Sequence, residues 1–220
     1  MSLVDAYLRS RQHIKKIRPR GTLYVTDLVK PCLLQAYYSI TQPREYPVEK
    51  LRIFEAGNVL EDFWAQILSD NLGVRVLGTQ VPAYYVTDDL EIHGRVDVLA
   101  QHDNEAIVAH EVKSAKSAHW METPRDGHVE QLQFYLNVLD INQGQVDYLD
   151  KEAFVQGENP IDKSFQITRN PTIFYTLISR AGTLSLSLKN GVPPLGNREA
   201  WNGRVCEYCQ YSDLCKPAAE

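Results

Sequence analysis

The stretch Leu90-Glu-Ile-His-Gly-Arg-Val-Asp-Val-Leu-Ala-Gln101, followed by Glu105-Ala-Ile-Val-Ala-His-Glu-Val-Lys-Ser-Ala115, decides how this chain folds. Both runs are rich in β-branched and aliphatic residues, and His102-Asp103-Asn104 between them suits a turn. They are expected to form an antiparallel hairpin. Asp97 falls in the middle of the first strand, and Glu111 and Lys113 fall near the end of the second. Two apart on a strand, Glu111 and Lys113 project from one face.

A carboxylate from each of two neighbouring strands can converge on one hard divalent cation, whose remaining oxygen ligands come from water and a substrate phosphate. A lysine beside them adds a donor that is not itself a ligand. It can hold or activate the attacking water and offset the charge that develops on phosphorus. Phosphodiester hydrolysis needs both. Solvent-facing charges on an ordinary strand are the plainer explanation, but three neighbours favour chemistry. Glu61 lies on the preceding helical stretch, in Gly57-Asn-Val-Leu-Glu61. Gln131 and Tyr135 are four apart on the following one and share a face. Gly94 allows close backbone approach just before Asp97. His93 and His110 read as ordinary strand residues, and His128 as the N-terminal residue of a helix.

Outward from the hairpin, Gly73–Gly78 and Gln80–Val86 read as two further strands. Upstream, Leu51, Phe54, Leu60, Trp64 and Leu68 give Lys50–Ser69 helical spacing. Leu28–Tyr38 reads as a helix capped by Thr26 or Asp27, with Pro31 in its first turn. Downstream come a helix at His128–Asp140 and strands at Gln145–Leu149 and Ser164–Thr168. Asn170-Pro171 then opens a long helix that Gly191 closes. This order implies an α/β or α+β domain with a central sheet flanked by helices.

The 220 residues, 44% hydrophobic and 23% charged, make one substantial domain and exclude disorder or a disulfide-dense mini-protein. No apolar run approaches the roughly 20 residues of a membrane helix, and the N-terminus has no apolar signal segment. A cytoplasmic protein with no membrane partner is expected. A net charge of −5 argues against a broad DNA-coating surface but not against one nucleic-acid groove. Between Ala6 and Thr26 the basic residues Arg9, Arg11, Lys15, Lys16, Arg18 and Arg20 run without an acid. They form a solvated face or meet phosphates. Trp120 and Arg125, in the loop after the Lys113 strand, are candidates to stack on or clamp single-stranded DNA.

Cys32 stands alone, and Cys206, Cys209 and Cys215 close the chain as Cys-x2-Cys-x5-Cys. Four thiolates suit Zn²⁺ or an iron–sulfur cluster. One remote cysteine plus a cluster of three favours iron–sulfur over the paired ligands of a zinc ribbon. Such a group would tie the N-terminal helix to the tail and contribute folding free energy.

Together these motifs resemble the RecB-like branch of the PD-(D/E)xK nucleases, in particular the CRISPR-associated nuclease family numbered four. The resemblance spans nearly the whole chain: Tyr24-Val-Thr-Asp-Leu-Val-Lys-Pro-Cys32 with Tyr37-Tyr38, Gly57-x3-Glu61, Gly94-Arg-Val-Asp97, Glu111-Val-Lys113, Gln131-x3-Tyr135 and the cysteine triplet. One departure is Glu61, where that family usually carries His; a carboxylate there is still an oxygen ligand. The resemblance implies a restriction-endonuclease-like core at 51–191, with 1–50 and 192–220 forming a cluster-binding helical subregion of a single domain. It implies Mg²⁺ or Mn²⁺ held by Glu61, Asp97, Glu111 and the Val112 carbonyl, with Lys113 catalytic and Gln131 and Tyr135 positioning the lysine and DNA. It implies that Cys32, Cys206, Cys209 and Cys215 hold a structural [4Fe–4S] or [2Fe–2S] cluster. The implied activity is exonucleolytic digestion of single-stranded DNA, with spacer precursors trimmed beside the CRISPR integrase. The alternatives are a catalytically idle DNA-end-binding subunit and a RecB-like repair or phage nuclease.

Overall fold

The computed structural model describes residues 2–13, 21–103, 105–157, 161–200 and 202–215. The Lys15, Lys16, Arg18 and Arg20 portion of the basic run and Asn104 of the expected turn lie outside these residues. The elements are α1 (Leu3–His13), β1 (Thr22–Tyr24), α2 (Val25–Leu28), α3 (Leu33–Thr41), α4 (Val48–Asp70), β2 (Val74–Val86), β3 (Glu91–His102), β4 (Ile107–Ala115), α5 (Asp126–Val138), β5 (Gln143–Asp150), α6 (Lys151–Gln156), β6 (Asp162–Thr168) and α7 (Pro171–Asn190). The strands form one mixed sheet of six, ordered β1-β3-β4-β5-β6, with β2 also on β3.

The hairpin forms as expected, with Val98 opposite His110 and Gln101 opposite Ile107. His102 N–H donates to the Ala106 carbonyl at 3.0 Å and closes its turn. Beyond Val98 the strands part. The start of β3 pairs in parallel with β1, Ile92 opposite Leu23, while β4 from Glu111 to Ala115 continues in parallel beside β5. Asp97 stands at this fork.

The sheet's two faces bury different partners. Trp64 and Leu68 of α4 pack on Val98, Val112 and Leu149. The larger core gathers Leu132, Phe134 and Leu136 of α5 and Phe174, Leu177 and Leu184 of α7 against Ala109, Val146 and Tyr148. Full burial of one such side chain stabilises the fold by about 1.5–3 kcal/mol. The α7 boundaries follow the sequence signals. The Asn170 side chain accepts from Thr172 N–H at 3.0 Å, and Gly191 adopts the left-handed C-cap at φ 67°.

Several expectations need correction. The helix expected over Leu28–Tyr38 is two helices, α2 and α3, broken around Pro31. Proline has no N–H to continue the ladder, and its ring drives the preceding residue out of the helical region. Neither Thr26 nor Asp27 is an N-cap: both lie inside α2, whose N-cap is Tyr24, and Asp27 accepts from Tyr24 N–H at 3.0 Å. The two strand runs at Gly73–Gly78 and Gln80–Val86 are one strand, β2, with an irregularity between Val76 and Gly78. The elements α1, β1 and α6 have no counterpart in the sequence pattern read above; Asp150 caps α6 by accepting from Glu152 and Ala153 N–H.

Candidate active site and cysteine pocket

Where β3 and β4 diverge, the Asp97 carboxylate replaces the missing ladder bond, accepting Val112 N–H at 2.8 Å. Glu111 and Lys113 project from the same side of β4. Glu111 is fully buried: its Oε1 meets the Lys113 ammonium, and its Oε2 has no hydrogen-bond partner among the described residues. Lys113 Nζ also lies 3.8 Å from Asp97 Oδ2 and donates to the Val112 carbonyl at 3.2 Å. From α4, Glu61 reaches the same group and receives a hydrogen bond from the Gln80 side chain on β2. The sequence-predicted Glu61, Asp97, Glu111, Val112 and Lys113 therefore converge.

Gln131 and Tyr135 sit on α5 behind this cluster. Gln131 Nε2 donates to the Tyr135 hydroxyl at 2.9 Å, and both side chains are buried. The ring presses against the bare backbone of Gly94, where an added Cβ would lie 2.5 Å from Tyr135 Cε1. Gly94 thus permits the close approach that its position before Asp97 implied.

Electrostatics follow from crowding acids in a dry site. Burial, reinforced by the neighbouring Asp97, pushes Glu61 up to about 7. Burial raises Glu111 to about 8 against the pull of Lys113, and it raises Asp97 as well. Burial works against the Lys113 ammonium too, yet Glu111 and Asp97 outweigh it and hold Lys113 above the usual lysine range. Burial, then the Glu111 charge, keeps the Tyr135 hydroxyl protonated well beyond its ordinary range. Three acids with one close ammonium are short of positive charge. Among the described residues no three His, Cys, Asp or Glu side chains are drawn together tightly enough to hold a metal as they stand. Lys113 occupies the middle of the acidic group. The unsatisfied buried Glu111 oxygen and the hard oxygen donor set nonetheless fit a divalent cation, which would supply the missing charge.

Trp120 and Arg125 form no hydrogen bond or ion pair with these acids or with Lys113 among the described residues. Trp120, 78% exposed, ends a short 3₁₀ turn, Ala118–Trp120, after β4. Arg125 is exposed at the start of α5, and its backbone N–H donates to the Tyr148 hydroxyl at 2.9 Å. That hydroxyl also bonds His128 Nδ1 at 2.7 Å. Burial, with Lys113 and Arg125 nearby, lowers His128 to about 3. His110 serves the core, as its ordinary strand position suggested. It pairs with fully buried Asp147 at 2.7 Å, and Asp147 also accepts from Trp64 Nε1 at 3.0 Å.

At the other end, Cys32, Cys206, Cys209 and Cys215 line one pocket with Tyr38, Gly196 and Tyr211. Asn197 N–H points at Cys32 Sγ from 3.3 Å, and the Tyr211 backbone N–H reaches Cys209. Burial raises the Cys209 thiol, with the other three cysteines adding to the shift. The two ends are also joined without sulfur: Arg44 pairs with Asp213 at 2.7 Å, and Tyr38 donates to the Leu214 carbonyl at 3.3 Å. The four cysteines, from both ends of the chain, line one pocket; among the described residues they are not drawn together closely enough to hold a metal as they stand, while their donor type suits a four-thiolate group.

Gln80 is the polar contact that sequence pattern missed. Only the register of β2 on β3 puts it opposite Asp97, and no local motif announces that.

The model of the PD-(D/E)XK nuclease superfamily matches residues 9–216. The chain belongs to the PD-(D/E)XK nuclease superfamily. PD-(D/E)XK nucleases use divalent metal ions, in keeping with the oxygen ligand set at the β3–β4 fork. Over 209 residues the chain is 24% identical to the CRISPR-associated exonuclease Cas4 of Saccharolobus solfataricus, covering 93% of this chain and 92% of that protein. The crystal structure of SSO0001 superposes with a TM-score of 0.69 at 21% identity, covering 97% of this chain and 96% of that one. An alkaline exonuclease from Laribacter hongkongensis superposes at 0.56 and 12% identity, covering 85% of this chain and 93% of that one. These structures share the PD-(D/E)XK fold, a mixed sheet between helices, with this chain. Among the described residues no helix is long and apolar enough to cross a membrane.

Proposed function

We propose that the protein is a Mg²⁺- or Mn²⁺-dependent deoxyribonuclease that shortens single-stranded DNA from an end. The convergence of Glu61, Asp97 and Glu111 around Lys113 carries this reading. The cation would be held by those three carboxylates and the Val112 carbonyl, and when bound it supplies Lewis-acid activation of water and neutralises phosphate charge. Lys113, beside Glu111 and Asp97, is placed to hold the attacking water and to donate to the charge developing on phosphorus. The Tyr135 hydroxyl, protonated and anchored by Gln131, is a second donor at the rear of the site. Exposed Trp120 and Arg125 lie on the segment that follows β4 and suit base stacking and phosphate contact. Arg20 joins the DNA-contact set through the basic run.

The four cysteines hold an iron–sulfur cluster in this proposal. It is structural rather than hydrolytic, and it joins 1–50 to 192–220 around the 51–191 core of a single domain. The likeness to the CRISPR-associated exonuclease favours a cytoplasmic role in trimming spacer precursors beside the integrase. The test compares wild type with Asp97→Ala, Glu111→Ala and Lys113→Ala on end-labelled linear and on circular single-stranded DNA. Metal-dependent shortening of the linear substrate alone, lost in all three variants with the cluster's colour intact, is expected. Activity retained in all three overturns the site. A folded wild type that binds DNA ends without cutting favours the idle subunit.

A further inference from the structure

β2 and β3 pair Thr79 with Val98 and Val81 with Val96, so Gln80 and Asp97 stand opposite each other between those pairs. Opposed residues in an antiparallel pair share a face. Gln80 abandons ordinary strand geometry there, with a φ of 50°. Non-glycine residues enter this left-handed region against a steric penalty, and they persist where the surroundings over-determine them. The surroundings here are two acids. The Gln80 carboxamide nitrogen donates to Glu61 Oε1, and the same side chain lies near enough to the Asp97 carboxylate to help hold it down against burial. A primary amide carries two N–H donors, so one nitrogen can serve both carboxylates.

We propose that Gln80 is a positioning residue for the divalent cation: its carboxamide bridges Glu61 and Asp97 and fixes the spacing at which they present their remaining oxygens. This rests on the reading that those acids hold the metal. The two carboxylates come from different elements, α4 and β3, and repel each other. Glu61 is only partly buried, so without the bridge its carboxylate is free to turn toward water. A neutral amide suits the task. A lysine or arginine in its place would cancel negative charge that the cation requires, and Lys113 already supplies the ammonium that the chemistry uses.

The experiment titrates Mn²⁺ into the full chain by calorimetry, in wild type, Gln80→Gly and Asp97→Ala. Melting temperature and DNA KM are recorded for each. Glycine accepts the positive φ, so Gln80→Gly removes the carboxamide without straining the strand. Gln80→Gly is expected to weaken Mn²⁺ binding by about tenfold or more, in line with losses of groups that orient metal ligands. Its melting temperature should not fall, its DNA KM should hold, and the Mn²⁺ needed for half-maximal cleavage should rise by the same factor. Wild-type Mn²⁺ affinity in Gln80→Gly, while Asp97→Ala has lost binding, overturns the role of Gln80 and leaves the metal site standing. A lower melting temperature at unchanged affinity also overturns it, because that is the signature of a structural residue. Wild-type Mn²⁺ binding by Asp97→Ala instead sinks the metal assignment itself.

Discussion

Replacing Gly94 with alanine tests how tightly the site is built. The φ of Gly94 is not in the left-handed region, so alanine meets no backbone penalty there. On unfolded-chain entropy alone it would stabilise by about 0.4–1 kcal/mol. The packing dictates the opposite sign. The new Cβ would lie 2.5 Å from Tyr135 Cε1 and 2.9 Å from Val25 Cγ2. Carbon atoms rest at about 3.5–4.0 Å, so the tyrosine ring must retreat by about 1 Å. That ring is buried and tied through its hydroxyl to Gln131, and it meets Phe134 edge-on with centroids 6.0 Å apart. Overpacking of this kind costs about 1–3 kcal/mol. A displacement of that size beside reacting groups can slow catalysis by about 10²-fold. Urea denaturation and initial rates of DNA digestion measure the two effects. Gly182→Ala on α7 is the control: its Cβ meets nothing within 4 Å. It should raise stability by about 0.5–1 kcal/mol and leave the rate alone. Wild-type stability and rate in Gly94→Ala would refute the packing of Tyr135 on β3.

Two further outcomes are expected. Without added metal, stability should fall as pH rises from about 6.5 to about 8. Native Glu111 and Glu61 keep protons to about 8 and about 7, whereas the unfolded carboxylates release them near 4.5, so the native state binds more protons across this window. Below 6.5 His128, lowered to about 3, works the other way and offsets the trend. Thermal melts at pH 6.5 and pH 8 read the difference. Mn²⁺ should erase it, and Glu111→Gln should flatten it; a metal-free protein more stable at pH 8 contradicts the crowded-acid picture. Cys209→Ser should lose iron, measured by absorbance and metal analysis. It should also melt well below wild type, even though the Arg44–Asp213 and Tyr38–Leu214 contacts remain. A well-folded, fully active Cys209→Ser protein would argue against the structural cluster.

The parts of this molecule that were legible in sequence are those written in local period. Asp97, Glu111 and Lys113 were placed by strand alternation, Gln131 and Tyr135 by helical spacing, and α7 by its Asn170 and Gly191 boundary residues. What stayed hidden depends on distant pairing. β1 is three residues long, too short for alternation to register, and it exists because Leu23 pairs with Ile92. Gln80 became visible only once β2 and β3 were aligned. His110 and Asp147 lie 37 positions apart and meet because β4 and β5 run side by side. Pro31 is ambiguous locally, because proline is tolerated in a helix's first turn, whereas here it separates the end of α2 from the start of α3.

The most direct test of the central claim is digestion of end-labelled single-stranded DNA by anaerobically purified protein, with Mn²⁺, Mg²⁺ or EDTA, beside Asp97→Ala. Progressive shortening by wild type with either cation, abolished by EDTA and by Asp97→Ala, is the predicted result. Equal shortening in EDTA, or by Asp97→Ala, would contradict a metal-dependent nuclease centred on the β3–β4 fork.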